Sequence, residues 1–179
     1  MNKQTFSLQP FSSTETLPNL NITGNIARCN NQLAISYQLL CDLKEVAIAP
    51  PSNIPMRKHE LWKDTCFEFF LAIKDSQRYW EFNLSPAGHW NVYRFDGYRQ
   101  EMQEETALTI LPFHEKQQLD SLAIALDMDL DQIIPAGQAI AVAITAVIKH
   151  ADGEVTYWAL THRGVEADFH LRESFVITL

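Results

Sequence analysis

The chain has 179 residues, of which 46% are hydrophobic and 20% charged, as is ordinary for a globular protein. This length suits one domain over residues 1–179, with a core large enough to need no disulfide or metal. There are 14 lysines and arginines against 22 aspartates and glutamates. The formal net charge of −8 argues against nucleic acid or an anionic membrane as the main partner.

Targeting signals and the spacing of cysteines indicate the cellular compartment. Residues 1–16 lack the apolar segment of a signal peptide, and the longest apolar run, 139–148, is far below the ~20 residues of a spanning helix. Cys29, Cys41 and Cys66 are an odd number without CxxC spacing, which favours neither a disulfide framework nor a zinc ribbon. We therefore expect reduced thiols in a cytoplasmic protein, with no membrane insertion.

Apolar residues alternate with other residues in five stretches, which is the pattern of half-buried β-strands. In chain order these are 33–39, 67–71, 80–84, 122–126 and 140–144, and turn-forming residues at 30–31, 50–51, 74–76, 86–88, 96–97 and 151–153 punctuate the chain around them. No long segment has the period of an amphipathic helix, and the best helical candidate is one turn over 129–133. The pattern predicts an all-β protein, an antiparallel sandwich or barrel.

A proline-bearing segment precedes the most unusual of these strands. The three prolines of residues 47–58 would remove ladder donors, so we predict a long loop there. The following stretch, LWKDTCFEFF over 61–70, reads as a strand with Phe67 and Phe69 on one face and Trp62, Asp64 and Glu68 on the other. A solvated face needs no tryptophan, and a buried face does not tolerate two unpaired carboxylates. We therefore expect a partly enclosed surface that meets a polar ligand.

Two further strands show a similar division. In 79–85 large apolar residues occupy the even positions, whereas Glu81 and Asn83 stand at odd positions. In 139–148 large aliphatic residues alternate with smaller ones. If these strands share a sheet, the large residues fill an inter-sheet core and the small ones leave a concave binding face.

The residues of that face have more than one interpretation. Trp62 either stacks against a sugar ring, whose axial C–H face is apolar, or closes the end of the sandwich. Glu68, Glu81 and Asn83 either bond to ligand hydroxyls or belong to a solvated face with basic partners. Two carboxylates on neighbouring strands also fit a glycosidase pair, separated by ~5–10 Å.

Basic and metal-binding candidates lie further along the chain. Arg94 could clamp a ligand or pair with Glu68 or Glu81, and the phase of its strand is ambiguous. His162, Asp168 and His170 could form a two-His, one-carboxylate metal site, although loop hydrogen bonds are the commoner role for such residues. No GxSxG elbow accompanies the Ser, His and Asp residues, so we reject a catalytic triad.

Three stretches together resemble the DOMON-like domains, a superfamily related to family 9 carbohydrate-binding modules: LWKDTCFEFF, YWEFNLSPAGHWNVYRFDGYR and YWALTHRGVEADFHLRESF. The resemblance runs from residue 61 to the C-terminus, with a weaker N-terminal part. It implies a jelly-roll-like β-sandwich of about ten strands. In the carbohydrate-binding relatives two tryptophans hold the sugar, and charged residues grip its hydroxyls. Trp62 and Glu68 match the first Trp and the Glu of that motif, and Trp158 and Arg94 are candidates for the second Trp and the Arg.

The resemblance also bears on cofactors. Such modules often carry structural calcium, but no acidic loop of this chain requires it. Other DOMON relatives bind b-type haem through Met and His, whereas none of the four methionines here (Met1, Met56, Met102 and Met128) lies on an obvious strand facing a cavity. No cofactor is therefore expected, with haem and calcium as the alternatives.

These observations predict non-catalytic binding of a carbohydrate or a sugar-containing small molecule on the concave face. Two groups of residues would carry it: the stacking rings Trp62 and Trp158, and the hydrogen-bonding side chains Glu68, Glu81, Asn83 and Arg94. A haem-binding module and a glycoside hydrolase that uses the paired carboxylates are the alternative functions, because fold analogy does not establish function.

Overall fold

Antiparallel strands make up nearly all of the regular structure in the computed structural model, which describes residues 2–12 and 19–179. The strands are β1 (Asn2–Ser7), β2 (Gln9–Pro10), β3 (Asn21–Cys29), β4 (Gln32–Leu40), β5 (Cys66–Ile73), β6 (Tyr79–Leu84), β7 (Trp90–Phe95), β8 (Gln103–Glu104), β9 (Phe113–Gln117), β10 (Ser121–Asp129), β11 (Ile140–Lys149), β12 (Val155–Ala159) and β13 (Ile177–Thr178). Three single turns of 3-10 helix cover Leu43–Glu45, Leu61–Lys63 and Arg172–Ser174.

The strands form two sheets that pack face to face. The smaller sheet has the order β1-β3-β4-β10-β9, and the larger has the order β2-β12-β11-β5-β6-β7-β8, with β13 added on β11. The predicted all-β antiparallel sandwich is confirmed. Ten of the described strands have five or more residues, close to the number expected. The jelly-roll-like connectivity stays a prediction.

Strand alternation places the core between the sheets. Phe67 and Phe69 of β5 and Phe82 of β6 are fully buried there, and the rings of Phe69 and Phe82 stack with centroids 4.3 Å apart. The side chain of Tyr37, from β4 of the smaller sheet, reaches across the core. Its hydroxyl donates a hydrogen bond of 2.6 Å to the Glu68 carbonyl oxygen. Each such buried ring stabilises the fold by ~1.5–3 kcal/mol. The predicted core faces of β5 and β6 are thus confirmed, and their other residues form what we call the outer face of the larger sheet.

The sequence predicted a single strand over 61–70, and that prediction is wrong. Residues Leu61–Lys63 form a 3-10 turn in which Asp64 N–H donates to the Leu61 carbonyl, and β5 begins only at Cys66. The turn satisfies these backbone groups locally, so no partner strand is needed. Asp64 is exposed and pairs with Lys149 at 2.8 Å instead of facing a ligand.

The predicted loop and the predicted turn agree with the structure. Residues 47–58 contain no strand and contribute only an isolated bridge from Arg57 to Trp90. The backbone N–H groups of Ile133 and Ile134 both donate to the Leu130 carbonyl, which closes the expected turn. Among the described residues, no helix has the length and apolar character that a membrane span requires.

Candidate binding site

A cavity of about 340 Å³ lies on the outer face of the larger sheet. Strands β5, β6, β7, β11 and β12 supply its floor, and the Leu61–Lys63 turn and the loops over 96–102 and 167–170 supply its walls. Small-molecule pockets are typically ~300–1,000 Å³, so this one suits a small ligand. Its lining is mainly aromatic or aliphatic, with four charged or ionisable polar side chains among them: Trp62, Glu68, Phe70, Glu81, Phe95, Arg99, Met102, Val147, Tyr157, Ala167, Phe169 and His170.

Two buried carboxyl groups stand at the floor of this cavity. Glu68 of β5 is 2% exposed and Glu81 of β6 is 5% exposed. Glu81 Oε1 accepts a hydrogen bond from Asn83 Nδ2 at 2.9 Å, and Glu68 Oε2 accepts a long one from the Thr145 hydroxyl at 3.4 Å. Glu68 Oε1 has no hydrogen-bond partner among the described residues. A buried acceptor in that state is costly unless a ligand or an ordered water satisfies it.

Burial changes the acidity of both carboxyl groups in the same direction. It raises the pKa of Glu81 from 4.5 to about 7, against the opposing effects of the Asn83 hydrogen bond and the Arg99 charge. Burial, reinforced by the charge of Glu81, raises the pKa of Glu68 well above 4.5. The two groups titrate as a pair. Because both pKa values are raised, the pair still holds a proton near neutral pH.

His170 and Tyr79 continue the polar network beside Glu81. The His170 Nδ1 atom lies 2.8 Å from the Tyr79 hydroxyl, and its Nε2 atom lies 3.7 Å from Glu81 Oε2. The Tyr79 oxygen already accepts from the Arg99 backbone N–H, so we assign its proton to the Nδ1 contact and the imidazole proton to Nε2. Burial and the nearby Arg99 charge lower the pKa of His170 to about 4, so the ring is neutral at neutral pH.

Aromatic rings form much of the cavity wall. Trp62 meets Tyr93 edge-on, with ring centroids 5.6 Å apart, and Tyr157 meets Phe169 in the same way at 6.1 Å. Tyr157 is 42% exposed, and Trp62 and Phe169 are half-buried. Large ring surfaces beside polar groups can hold a ligand that has both apolar and polar faces.

Four predicted site residues belong to one neighbourhood. Trp62, Glu68 and Glu81 line the cavity: alternation places the two carboxyl groups there, and the Leu61–Lys63 turn places Trp62. Asn83 lies beneath the floor, where its side chain donates to Glu81 and accepts from the Cys66 thiol at 3.6 Å. It can therefore orient a carboxyl group but does not line the cavity.

Arg94 does not reach the cavity, which corrects the sequence-based assignment. Trp90 and Val92 of β7 point into the core, so alternation puts Arg94 on that same side at the end of the strand. Its guanidinium donates to Gln103 at 3.0 Å and approaches Asp96 at 4.0 Å. The arginine that does line the cavity is Arg99, which pairs with Asp168 at 2.9 Å.

The assignment of Trp158 as the second stacking ring of the site is also corrected by the structure. It is 3% exposed within the core between the sheets, and its Nε1 donates to the Thr156 hydroxyl at 3.0 Å. Its neighbour Tyr157 faces the cavity instead, because successive side chains of β12 point to opposite faces.

The proposed metal trio is not assembled. His162 Nε2 contacts the Gln9 carbonyl at 2.9 Å, Asp168 is engaged by Arg99, and His170 is engaged by Tyr79. Within the described residues, potential metal ligands come together instead at His150, Asp152 and Glu154 in the β11–β12 turn. There Asp152 Oδ1 accepts from the Glu154 N–H at 3.0 Å, as in an ordinary turn.

Several lining residues were not predicted from the sequence, among them Tyr157, Arg99, Met102 and Phe169. Tyr157 could have been found by testing both phases of β12, since it alternates with Trp158. Arg99 and Met102 lie in the loop that follows the turn signal at 96–97, and no pattern in the sequence brings that loop to the floor strands. Phe169 had no signal of any kind, because it belongs to a segment without regular structure.

Fold and site together define a β-sandwich protein with a cavity of small-molecule size on the outer face of the larger sheet. No protein-family model matches the chain, and no curated protein sequence matches it. A structure from Bacteroides uniformis, of a protein to which carbohydrate binding has been ascribed, is similar at TM-score 0.68 and 14% identity, over 94% of this chain and 84% of that one.

Two structures of a family 9 carbohydrate-binding module from Caldicellulosiruptor kristjanssonii are similar at a lower level. The glucose complex has TM-score 0.47 and 12% identity, over 80% of this chain and 69% of that one. The cellotriose complex has TM-score 0.48 and 10% identity, over 80% and 67%. At such identities the B. uniformis likeness supports the sandwich fold alone, and the DOMON-like assignment stays a prediction.

Proposed function

We propose that the cavity binds a carbohydrate or a sugar-containing small molecule and does not turn it over. The observation that carries this proposal is the buried, unpartnered Oε1 atom of Glu68 at the floor of an aromatic-walled cavity. A ligand hydroxyl could satisfy that oxygen, which the described protein groups do not.

The chemistry of the cavity suits a polyhydroxylated ring. Burial raises the pKa of Glu81 to about 7, so this carboxyl group is present in both protonation states near neutral pH and could donate to or accept from hydroxyls. Burial raises the pKa of Glu68 in the same direction. The rings of Trp62 and Tyr157 offer apolar surfaces for the C–H face of a sugar. The likeness to the B. uniformis sandwich is consistent with this use but does not establish it.

A fluorescence titration tests the proposal, because of the four tryptophans only Trp62 lines the cavity, and the other three are buried in the core. We expect a saturable change in intrinsic fluorescence with at least one member of a panel of mono- and disaccharides. Trp62→Ala should weaken that binding by roughly tenfold or more, equivalent to about 1.4 kcal/mol. Calorimetry should be used for the variant, because the substitution removes the reporter.

Phe11→Ala is the matched control, since Phe11 is a partly exposed ring that does not line the cavity. This variant should bind as the parent protein does. No saturable response across the panel, or unchanged affinity in a folded Trp62→Ala protein, would contradict the proposal.

A haem site is a second candidate, because Met102 and His170 line the same cavity. The geometry favours it less, since His170 Nδ1 already contacts Tyr79 and its Nε2 faces Glu81. A porphyrin is also far larger than one sugar ring. A Soret band in the purified protein would support haem and count against the sugar proposal.

A glycoside hydrolase is the third class that the paired carboxyl groups raise. Such enzymes need one carboxyl group ionised and the other protonated, so their environments must push the two pKa values apart. Here burial raises the pKa of both Glu68 and Glu81. Turnover of a chromogenic glycoside that is lost in Glu68→Gln would contradict non-catalytic binding.

A further inference from the structure

The cavity floor holds two carboxyl groups, Glu68 and Glu81, that form no direct pair with a lysine or arginine side chain of the described residues. The near contact of Glu81 is with His170 at 3.7 Å. Arg99 is the one arginine that lines the cavity, and its guanidinium is already engaged by Asp168 at 2.9 Å. The Tyr98 hydroxyl also donates to Asp168.

The other titratable groups that face the pair are neutral near pH 7. Burial raises the pKa of the neighbouring phenols and thiol and lowers that of the imidazole, which leaves all of them uncharged: Tyr37, Cys66, Tyr79, Tyr93 and His170. The charge of Arg99 acts to lower the pKa of Glu81 and of His170, and its partner Asp168 opposes that effect at His170. If Glu68 and Glu81 were both ionised, the floor would be negative, because Arg99, the one arginine among the described lining residues, is already paired with Asp168.

The walls also suit a positive charge. The rings of Trp62, Tyr157 and Phe169 line the same cavity as the two carboxyl groups. The face of an aromatic ring attracts a cation that lies within ~6 Å of its centroid, most strongly for tryptophan. An ammonium group could therefore meet both the carboxyl groups of the floor and the aromatic rings of the walls favourably.

We infer that the preferred ligand is an amino sugar with a protonated primary amine. Its ammonium group would lie at Glu68 and Glu81, and its ring would pack against the aromatic walls. This inference rests on the proposed sugar-binding function and adds the chemical class of the sugar. An ammonium group donates three hydrogen bonds, so it can satisfy Glu68 Oε1 and offset one of the two carboxylate charges.

Binding of a cation is linked to proton release, which a neutral sugar does not require. An ammonium group favours the ionised carboxyl groups, so it displaces the proton that the pair holds. Affinity for an amino sugar should therefore rise as the pH is raised from 5 to 7, because the pH then approaches the Glu81 pKa of about 7 and more of this carboxyl group is ionised. Affinity for the neutral parent sugar should change little or fall over the same range.

Matched sugars test the inference directly. Calorimetric titrations at pH 7 and low salt would compare D-glucosamine with D-glucose and N-acetyl-D-glucosamine, and repeat the comparison in the galactose series. In at least one series we expect the free amine to bind tenfold or more tightly than both neutral members. Glu68→Gln and Glu81→Gln should each remove most of that preference. Glu115→Gln, on β9 of the smaller sheet, should keep it.

The outcomes separate the inference from the function on which it rests. Neutral sugars that bind as tightly as their amines would overturn the inference and leave the proposed function standing. An amine preference that persists in folded Glu68→Gln and Glu81→Gln proteins would also overturn it. If no sugar of either kind binds, both are wrong. The comparison of sugars on the unsubstituted protein holds even if a variant fails to fold.

Discussion

Trp158→Ala should lower the free energy of unfolding by ~3–5 kcal/mol, whereas Tyr157→Ala should lower it by no more than ~1 kcal/mol. The two residues are adjacent in β12 but lie on opposite faces of the sheet. Trp158 is almost fully buried between the sheets and donates to Thr156, so its truncation leaves a cavity. Tyr157 is 42% exposed at the cavity wall, so its loss removes little packing.

Urea denaturation of both variants, followed by far-UV circular dichroism, measures the difference as a shift in midpoint. Trp158→Phe is a milder companion in case the alanine variant does not fold. Sugar binding should be reduced in Tyr157→Ala and retained in folded Trp158→Phe. A stable Trp158→Ala protein that has lost binding would return Trp158 to the ligand site and refute its placement in the core.

The second large effect is a pH-dependent gain of stability in Glu81→Gln. The folded-state pKa of Glu81, about 7, lies above its ordinary value of 4.5. The preference of the folded state for the protonated Glu81 side chain therefore contributes fully to stability below pH 4.5. This contribution is lost as the pH rises through 7 and the buried carboxyl group ionises. Glutamine mimics the protonated side chain, so the variant escapes this loss. We expect near-equal stability of the two proteins at pH 4.5 and an advantage of ~3 kcal/mol for Glu81→Gln at pH 8.

Other titrations cancel in this comparison or can be controlled. His170 acts in the opposite direction, because its lowered folded pKa of about 4 makes stability fall as the pH drops from 6.5, but both proteins contain it. Removing the charge of Glu81 should also lower the pKa of Glu68, since that charge contributes to its elevation. Chemical denaturation at pH 4.5, 6 and 8 measures the difference, with Glu115→Gln expected to parallel the unsubstituted protein. Parallel curves for Glu81→Gln would mean that its carboxyl group is solvated.

Much of the strand pattern was predictable because a strand has a two-residue period. Once Phe67, Phe69 and Phe82 were recognised as core residues, Glu68 and Glu81 had to point the other way. The prolines of 47–58 excluded a central strand on steric grounds, and that segment is a loop in the structure. The two-residue strand period failed as a guide over 61–65, because a local 3-10 turn satisfies the backbone there without a strand partner.

The sequence by itself determined the antiparallel all-β class, the core faces of β5 and β6, and the position of Glu68 and Glu81 on the opposite face. Only the tertiary structure decided which arginine and which ring of β12 complete that surface. Alternation relates the residues within a strand but does not say which face turns inward, so Tyr157 and Trp158 were not separable. Arg99, Phe169 and His170 come from irregular segments, whose positions depend on long-range packing with no local period to reveal it.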